Sequence, residues 1–170
     1  MSAMAQSLRI GVIADTHGLF DPAIVRHFKG VDRIIHAGDI GHRSVIERLA
    51  CIAPVIAVSG NVDDADSIGF PSETVVRLAG RCVAVRHVVY ESGKIRKDAE
   101  AFLARERPAV CIFGHTHQPK IEWRGRMLLF NPGSAGPKRF TLPRGLGLLF
   151  LRKASYDARL IPLTDRAEAI

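Results

Sequence analysis

Apolar positions along the chain fall in short blocks, each closed by a polar turn. "LRIGVIAD" (8–15) is an unbroken β-branched apolar run, the pattern of a strand buried on both faces. "DPAIVRHFKG" (21–30) predicts a helix, with Asp21 as N-cap, Pro22 at the first helical position and Gly30 at the end. "DRIIHAGD" (32–39) predicts a second strand, "HRSVIERLACI" (42–52) a second helix and "PVIAVSGN" (54–61) a third strand. This alternation predicts a largely parallel sheet with right-handed crossovers.

Beyond Asn61 the pattern changes. "ETVVRLAGRCVAVRH" (73–87) predicts two strands joined at Ala79-Gly80. "KDAEAFLARERP" (97–108) predicts a helix stopped by Pro108, and "AVCIFG" (109–114) another buried strand. "KIEWRGRMLLFNPGS" (120–134) predicts a hairpin turning at Gly125, followed by strands in "GLGLLFLR" (145–152) and "YDARLIPL" (156–163). No repeat or low-complexity tract interrupts the pattern. One α/β domain over residues 1–170 is expected, with residues 1–7 as a flexible N-terminal extension.

Composition narrows the class. With 170 residues, 47% of them hydrophobic and 24% charged, the chain has the make-up of an ordinary globular protein. At this length about 70% of the unfolded surface can be buried, so no disulfide or zinc staple is required. Cys51, Cys82 and Cys111 are widely spaced, and an odd number without framework spacing argues for a reducing compartment. No segment approaches the ~20 apolar residues of a membrane span. "MSAMAQSLRI" has neither a basic start nor a small-residue cleavage site, so a cytoplasmic protein without a membrane partner is expected.

Lys and Arg total 24 against 17 Asp and Glu, a net charge of +7. The excess suits anionic substrates, and it suits a solubilising surface equally well. The basic residues are scattered in "KIRK" (94–97), "WRGR" (123–126) and "PKR" (137–139), without an aromatic-rich RNA-binding signature. Charge therefore supports a phosphate-bearing partner only weakly, with nucleic acid not favoured.

The candidate chemistry lies in the turns after the strands. "ADTHG" carries Asp15 and His17, "HAGDI" carries Asp39, and "SGNVDD" carries Asn61 and Asp63. "AVRHV" supplies His87, and "FGHTH" supplies His115 and His117. In open α/β sheets ligands bind beyond the carboxyl ends of the strands, where all of these fall. Residues i and i+2 of an extended segment project to one side, so Asp15 and His17 are expected to share an ion, and His115 and His117 to share a cavity. Gly38, Gly60 and Gly114 are expected to allow sharp turns and close approach. Carboxylate, imidazole and carboxamide donors suit Mn²⁺, Fe²⁺, Zn²⁺ or Ni²⁺ and are too nitrogen-rich for Ca²⁺. Taken singly, each motif is also an ordinary polar turn; their order, each after a strand, makes the set specific.

That ordered set, D-x-H, G-D, G-N-x-D, a lone His and G-H-T-H, resembles the calcineurin-like metallophosphoesterase superfamily. The short length and "NPGS" (131–134) resemble its small YfcE-like phosphodiesterase branch. The resemblance runs from about Arg9 to Ser134. It implies an α/β fold, a four-layer α/β/β/α sandwich, and hydrolysis of phosphate esters by a hydroxide bridging two divalent metal ions. Mn²⁺ is the first expectation, with Ni²⁺, Fe²⁺ or Zn²⁺ as alternatives. Carried over, Asp15, His17 and His117 would hold one ion and Asn61, His87 and His115 the other, with Asp39 bridging. Asp39, Asn61 and His115 would act in catalysis, and Asp63 would orient the ligands.

Two positions depart from the family pattern. Val62 stands where many members carry a histidine that assists the leaving group, and Val88 stands where a glycine usually follows the lone histidine. A β-branched residue disfavours positive φ, so a reshaped loop at His87 is expected. His36 reads either as a partner of the site or as a satisfied core histidine, and His27 and His42 as surface residues. Asn131 and Ser134 are expected to line or brace the site. A small phosphate ester is the expected partner, and homo-oligomer formation is left open. The alternatives are a non-catalytic scaffold like the retromer subunit that shares this fold, and a nuclease.

Overall fold

The computed structural model describes residues 6–164. Three parallel strands, β1 (Leu8–Ile13), β2 (Arg33–His36) and β3 (Val55–Ala57), alternate with helices α1 (Ala23–His27) and α2 (Arg43–Ala50). A short helix, α3 (Ala65–Ile68), follows, capped by the Asp64 carboxylate accepting from the Asp66 N–H. Then come the hairpin β4 (Glu73–Leu78) and β5 (Arg81–Arg86), a two-residue ribbon β6 (Tyr90–Glu91) and β7 (Lys94–Ile95), and α4 (Lys97–Glu106). β8 (Val110–Ile112), β9 (Lys120–Arg124), β10 (Met127–Asn131), β11 (Arg144–Leu151) and β12 (Tyr156–Leu163) complete the chain.

The strands form two five-stranded sheets, ordered β12-β11-β1-β2-β3 and β4-β5-β8-β10-β9. Strand periodicity explains the layers. In β1, Ile10 and Val12 enter the core between the sheets while Ile13 turns towards the helices. In β8, Val110 and Ile112 face between the sheets while Cys111 and the following Phe113 pack under α4. One core therefore lies between α1, α2 and the first sheet, a second between the sheets, and a third between the second sheet and α4. This is the α/β/β/α sandwich. Each fully buried Ile or Leu contributes about 1.5–3 kcal/mol relative to exposure. Gly11 is dictated by packing, since a Cβ there would lie 2.9 Å from the Phe28 ring.

The expected elements are present, with shifted ends. α1 begins at Ala23, one residue after Pro22, yet the Asp21 carboxylate does accept from the Ala23 N–H. α4 stops before Pro108 because Arg107 turns left-handed, with φ 46°. α3 and the β6–β7 ribbon were not anticipated. Gln6 and Ser7 are exposed without regular structure, and the rest of the expected extension, residues 1–5, lies outside the described residues. Among the described residues no helix is long and apolar enough to cross a membrane. The three cysteines are free.

Candidate metal centre

Because β1, β2 and β3 run parallel, and β5 and β8 do likewise, their carboxyl ends deliver their turns to one rim of the sandwich. Backbone hydrogen bonds lace these turns together. Asp15 N–H donates to Gly38 O at 2.9 Å, His17 N–H to Asp39 O at 3.0 Å and Gly114 N–H to His87 O at 3.0 Å. The sheets are joined here too, since the His115 N–H donates to the Asp15 carboxylate at 3.1 Å.

The local conformation differs from the extended segments expected. Among the described residues nine non-glycine positions have positive φ, and five of them are candidate donors: Asp15 (54°), His17 (46°), Asp39 (52°), His115 (72°) and His117 (57°). Asp15 and His17 thus converge through left-handed turns and not through strand periodicity. Such conformations cost of order 1 kcal/mol or more each and concentrate at functional sites. Glycine is required where turns touch. A Cβ on Gly60 would lie 2.0 Å from Asp39 Oδ1, and one on Gly38 would lie 2.6 Å from His87 Nδ1.

All seven expected donors meet in one cluster. On one side, Asp15 Oδ1 lies 3.3 Å from His117 Nε2, which lies 3.4 Å from His17 Nε2. On the other, Asn61 Oδ1 lies 3.0 Å from both His87 Nε2 and His115 Nδ1. Asp39 Oδ2 stands between, 3.8 Å from His17 Nε2 and 3.2 Å from His87 Nε2. Asp15, His17 and His117, and Asp15, Asp39 and His87, each bring their ligand atoms close enough to hold one ion. Ligands about 2.0–2.2 Å from an ion stand about 3.0–3.5 Å apart, so these spacings fit divalent metal coordination. The His87 tautomer fits as well. Its Nδ1 sits 2.7 Å from Ala37 O, which can only accept, so Nδ1 carries the proton and Nε2 is left to coordinate. Val88 does not adopt positive φ, and His87 is buried within the cluster, so the substitution for glycine leaves this donor in place.

The electrostatics follow from burial among opposite charges. Burial opposes ionisation of Asp39, but hydrogen bonds from His87 and the Val62 N–H outweigh it and hold the carboxyl below its usual range. Burial likewise opposes charge on His87, and the Asp39 hydrogen bond with the Asp15 and Asp39 charges overcomes it, raising that imidazole. His17 and His115 are lowered, chiefly by burial.

A second layer holds the donors. Asp63 accepts from the N–H groups of Ile40 (3.0 Å), Gly41 (2.9 Å) and Gly60 (2.8 Å), tying the Asp39 turn to the Asn61 turn. His36 is fully buried. It accepts from Gly38 N–H at Nδ1, so its Nε2–H donates to Thr16 Oγ1 at 2.9 Å, and that hydroxyl donates to Ile40 O. Burial pushes His36 down to about 4, so it is a neutral link between the Asp15–His17 and Asp39 turns. Asn131 donates to Gly114 O and Ser134 to Asp15 O, so "NPGS" braces the centre without reaching into it. A buried Arg144–Asp21 pair at 3.0 Å, with Arg144 also donating to Ala135 O and Gly136 O, anchors that brace. No local pattern marks this pair, because its members are 123 residues apart. His42 is exposed and caps α2, and His27 is half-buried on α1; both lie outside the cluster.

Beside Asn61 and His87 opens a cavity of about 220 Å³, lined also by Ser59, Ser72, Arg86, Val88 and Arg96. Val62 is 60% exposed next to Asn61.

A family model described as the calcineurin-like phosphoesterase superfamily domain matches residues 8–154. A probable metallophosphoesterase of Methanocaldococcus jannaschii is 34% identical over 171 residues, covering 94% of this chain and 83% of that one. One from Methanothermobacter thermautotrophicus is 36% identical over 159 residues, covering 89% and 91%. Among solved structures, a predicted phosphoesterase of Streptococcus pneumoniae superposes with a TM-score of 0.74 at 24% identity, covering 92% of this chain and 90% of that one. Vacuolar protein sorting 29 of Cryptosporidium parvum does so with 0.72 at 18%, covering 94% and 99%. An archaeal phosphodiesterase does so with 0.71 at 24%, covering 92% and 100%. At these identities the structural matches speak to the fold.

Proposed function

The chain belongs to the calcineurin-like phosphoesterase superfamily, and from that premise we propose that it is a phosphodiesterase whose seven clustered donors hold two divalent metal ions. The observation that carries the reading is the split of the donors into two sets either side of Asp39. Asp15, His17 and His117 would hold one ion, Asn61, His87 and His115 the other, and the two oxygens of Asp39 would serve both. Mn²⁺ is the first candidate, with Ni²⁺, Fe²⁺ and Zn²⁺ compatible with the same donors. When bound, such a pair supplies a nucleophilic water at neutral pH and positive charge opposite the phosphoryl oxygens.

The chain's own residues set the rest. Asp39, which accepts from the Val62 N–H and stands 3.2 Å from His87 Nε2, lies between the two half-sites. Asn61 and His115, at the exposed side of the cluster, are placed to orient the phosphoryl group. The cavity lined by Ser59, Ser72 and Val88 would take one ester arm. Val62 cannot donate a proton, so the leaving oxygen must depart without help from that position. Esters with good leaving groups are therefore favoured, and aryl phosphodiesters should be cleaved faster than alkyl phosphomonoesters.

The test is hydrolysis of bis(p-nitrophenyl) phosphate and of an alkyl monoester with Mn²⁺, Ni²⁺ or Zn²⁺ added, comparing the wild-type chain with Asp39→Asn. Metal-dependent diester cleavage, lost in the variant and faster than monoester cleavage, is the expected result. A monoester turned over as fast would overturn the diesterase assignment. A folded, metal-loaded protein that cleaves neither would return the reading to a scaffold.

A further inference from the structure

The turns opposite the metal rim gather unbalanced positive charge around the chain's one tryptophan. The β4–β5, β9–β10 and β11–β12 turns meet there, at the starts of β5 and β10, about 20 Å from the metal donors by the length of β5. Two adjoining hollows of about 330 and 530 Å³ share Arg81, Arg126 and Tyr156; Arg107 lines one and Trp123 the other. Among the described residues no carboxylate lines either hollow.

Several other arginines on and beside this sheet are matched: Arg86 and Arg96 with Asp98, Arg105 with Glu106, Arg124 with Glu100. Arg81, Arg107 and Arg126 form no ion pair among the described residues. The Arg81 guanidinium lies 4.6 Å over the Tyr156 ring; among the described residues it donates only to the carbonyls of Arg152 and Lys153, and its buried Nε finds no acceptor. Its charge is thus held in place and left uncancelled. Trp123 stands 5.4 Å from Tyr156 and keeps 50% of its surface exposed, on edge strand β9.

We propose that this groove binds single-stranded nucleic acid, its phosphates on Arg81, Arg107 and Arg126 and a base stacked on Trp123. Cations spaced around an exposed aromatic face match the alternation of phosphate and base along a single strand. An acidic peptide would satisfy the arginines and leave the indole face unused.

The indole is a built-in reporter, because stacking quenches its emission. A single-stranded oligothymidylate of about ten nucleotides should quench the full chain at low salt. With three phosphates neutralised, the logarithm of the binding constant should fall with the logarithm of salt at a slope near −2, at about 0.7 per phosphate. Arg107→Gln and Arg126→Gln should each reduce that slope by about 0.7. By anisotropy of a labelled oligomer, Trp123→Ala should weaken binding about tenfold or more, and Trp123→Phe, which keeps a stacking face, should restore most of it. Asp39→Asn should bind like wild type, because the groove is remote from the metal centre. Absent quenching, equal quenching by polyglutamate, binding indifferent to the arginine variants, or binding lost in Asp39→Asn would each overturn the proposal.

Discussion

His36 offers a stability switch whose size can be worked out beforehand. Unfolded, its imidazole titrates near 6.5; folded and buried, it is pushed down to about 4. The folded chain therefore binds fewer protons than the unfolded chain between these values. The neutral histidine's contribution is complete above pH 6.5 and is lost as pH falls towards 4. At 1.36 kcal/mol per pH unit, the loss is about 3 kcal/mol.

In His36→Asn the carboxamide can still accept from Gly38 N–H but cannot reach Thr16, which should cost about 1–2 kcal/mol at pH 7. It does not titrate. The nearby Asp15, Asp39, Asp63 and His87 are common to both proteins and cancel in the difference. Wild type should be the more stable at pH 7, the variant the more stable at pH 4, and the curves should cross near pH 5. Urea unfolding of both proteins from pH 4 to 7, with chelator present, measures this directly. A stability difference that stays flat across that range would refute the account of His36 as a neutral link.

Three further outcomes follow from the geometry. Asp63→Ala strands three N–H groups, so metal affinity should drop about 10–100-fold in calorimetric titration, and an unchanged affinity would remove Asp63 from the support of the centre. Gly60→Ala puts a methyl where Asp39 Oδ1 now lies, so the folded protein should lose ester hydrolysis at least 100-fold; retained turnover would show that the Asp39 turn can yield. Arg144→Met removes the guanidinium that pairs with buried Asp21 and strands the carbonyls of Ala135 and Gly136. Urea unfolding should show a loss of about 3–5 kcal/mol, and a loss below about 1 would mean that water replaces the guanidinium.

How much of this was legible beforehand depends on the range of the interactions. Asp15, Asp39, Asn61, His87 and the His115–His117 pair could be found because each follows an apolar strand, and parallel strands bring such ends together whatever else the chain does. The left-handed backbone of Asp15, His17, Asp39, His115 and His117 could not, since an aspartate or histidine carries no mark of positive φ as glycine does. The pairing of β8 with both β5 and β10 depends on which apolar faces meet, and "AVCIF" would fit several neighbours equally well. The Ser92-Gly93 turn between β6 and β7 did carry a hairpin signal, in strands too short to stand out. Asp63 was readable as part of a motif, but two of its three N–H donors, Ile40 and Gly41, come from a turn more than twenty residues away. Arg144 looked like any surface cation until folding buried it on Asp21.

One placement in the first sheet bears on the order of events in the cell. β1, which delivers Asp15 and His17, is flanked on one side by β11, formed from residues 144–151. The last donor in sequence is His117, so every ligand has been synthesised well before the strand that closes the sheet around β1. At about 5–20 residues per second, that interval lasts about two to seven seconds. During it the imidazoles and carboxylates are on hand without the framework that strains them into place. On the proposed reading, metal uptake would follow this hairpin, and the ion would be chosen by a finished cage, not by a nascent chain.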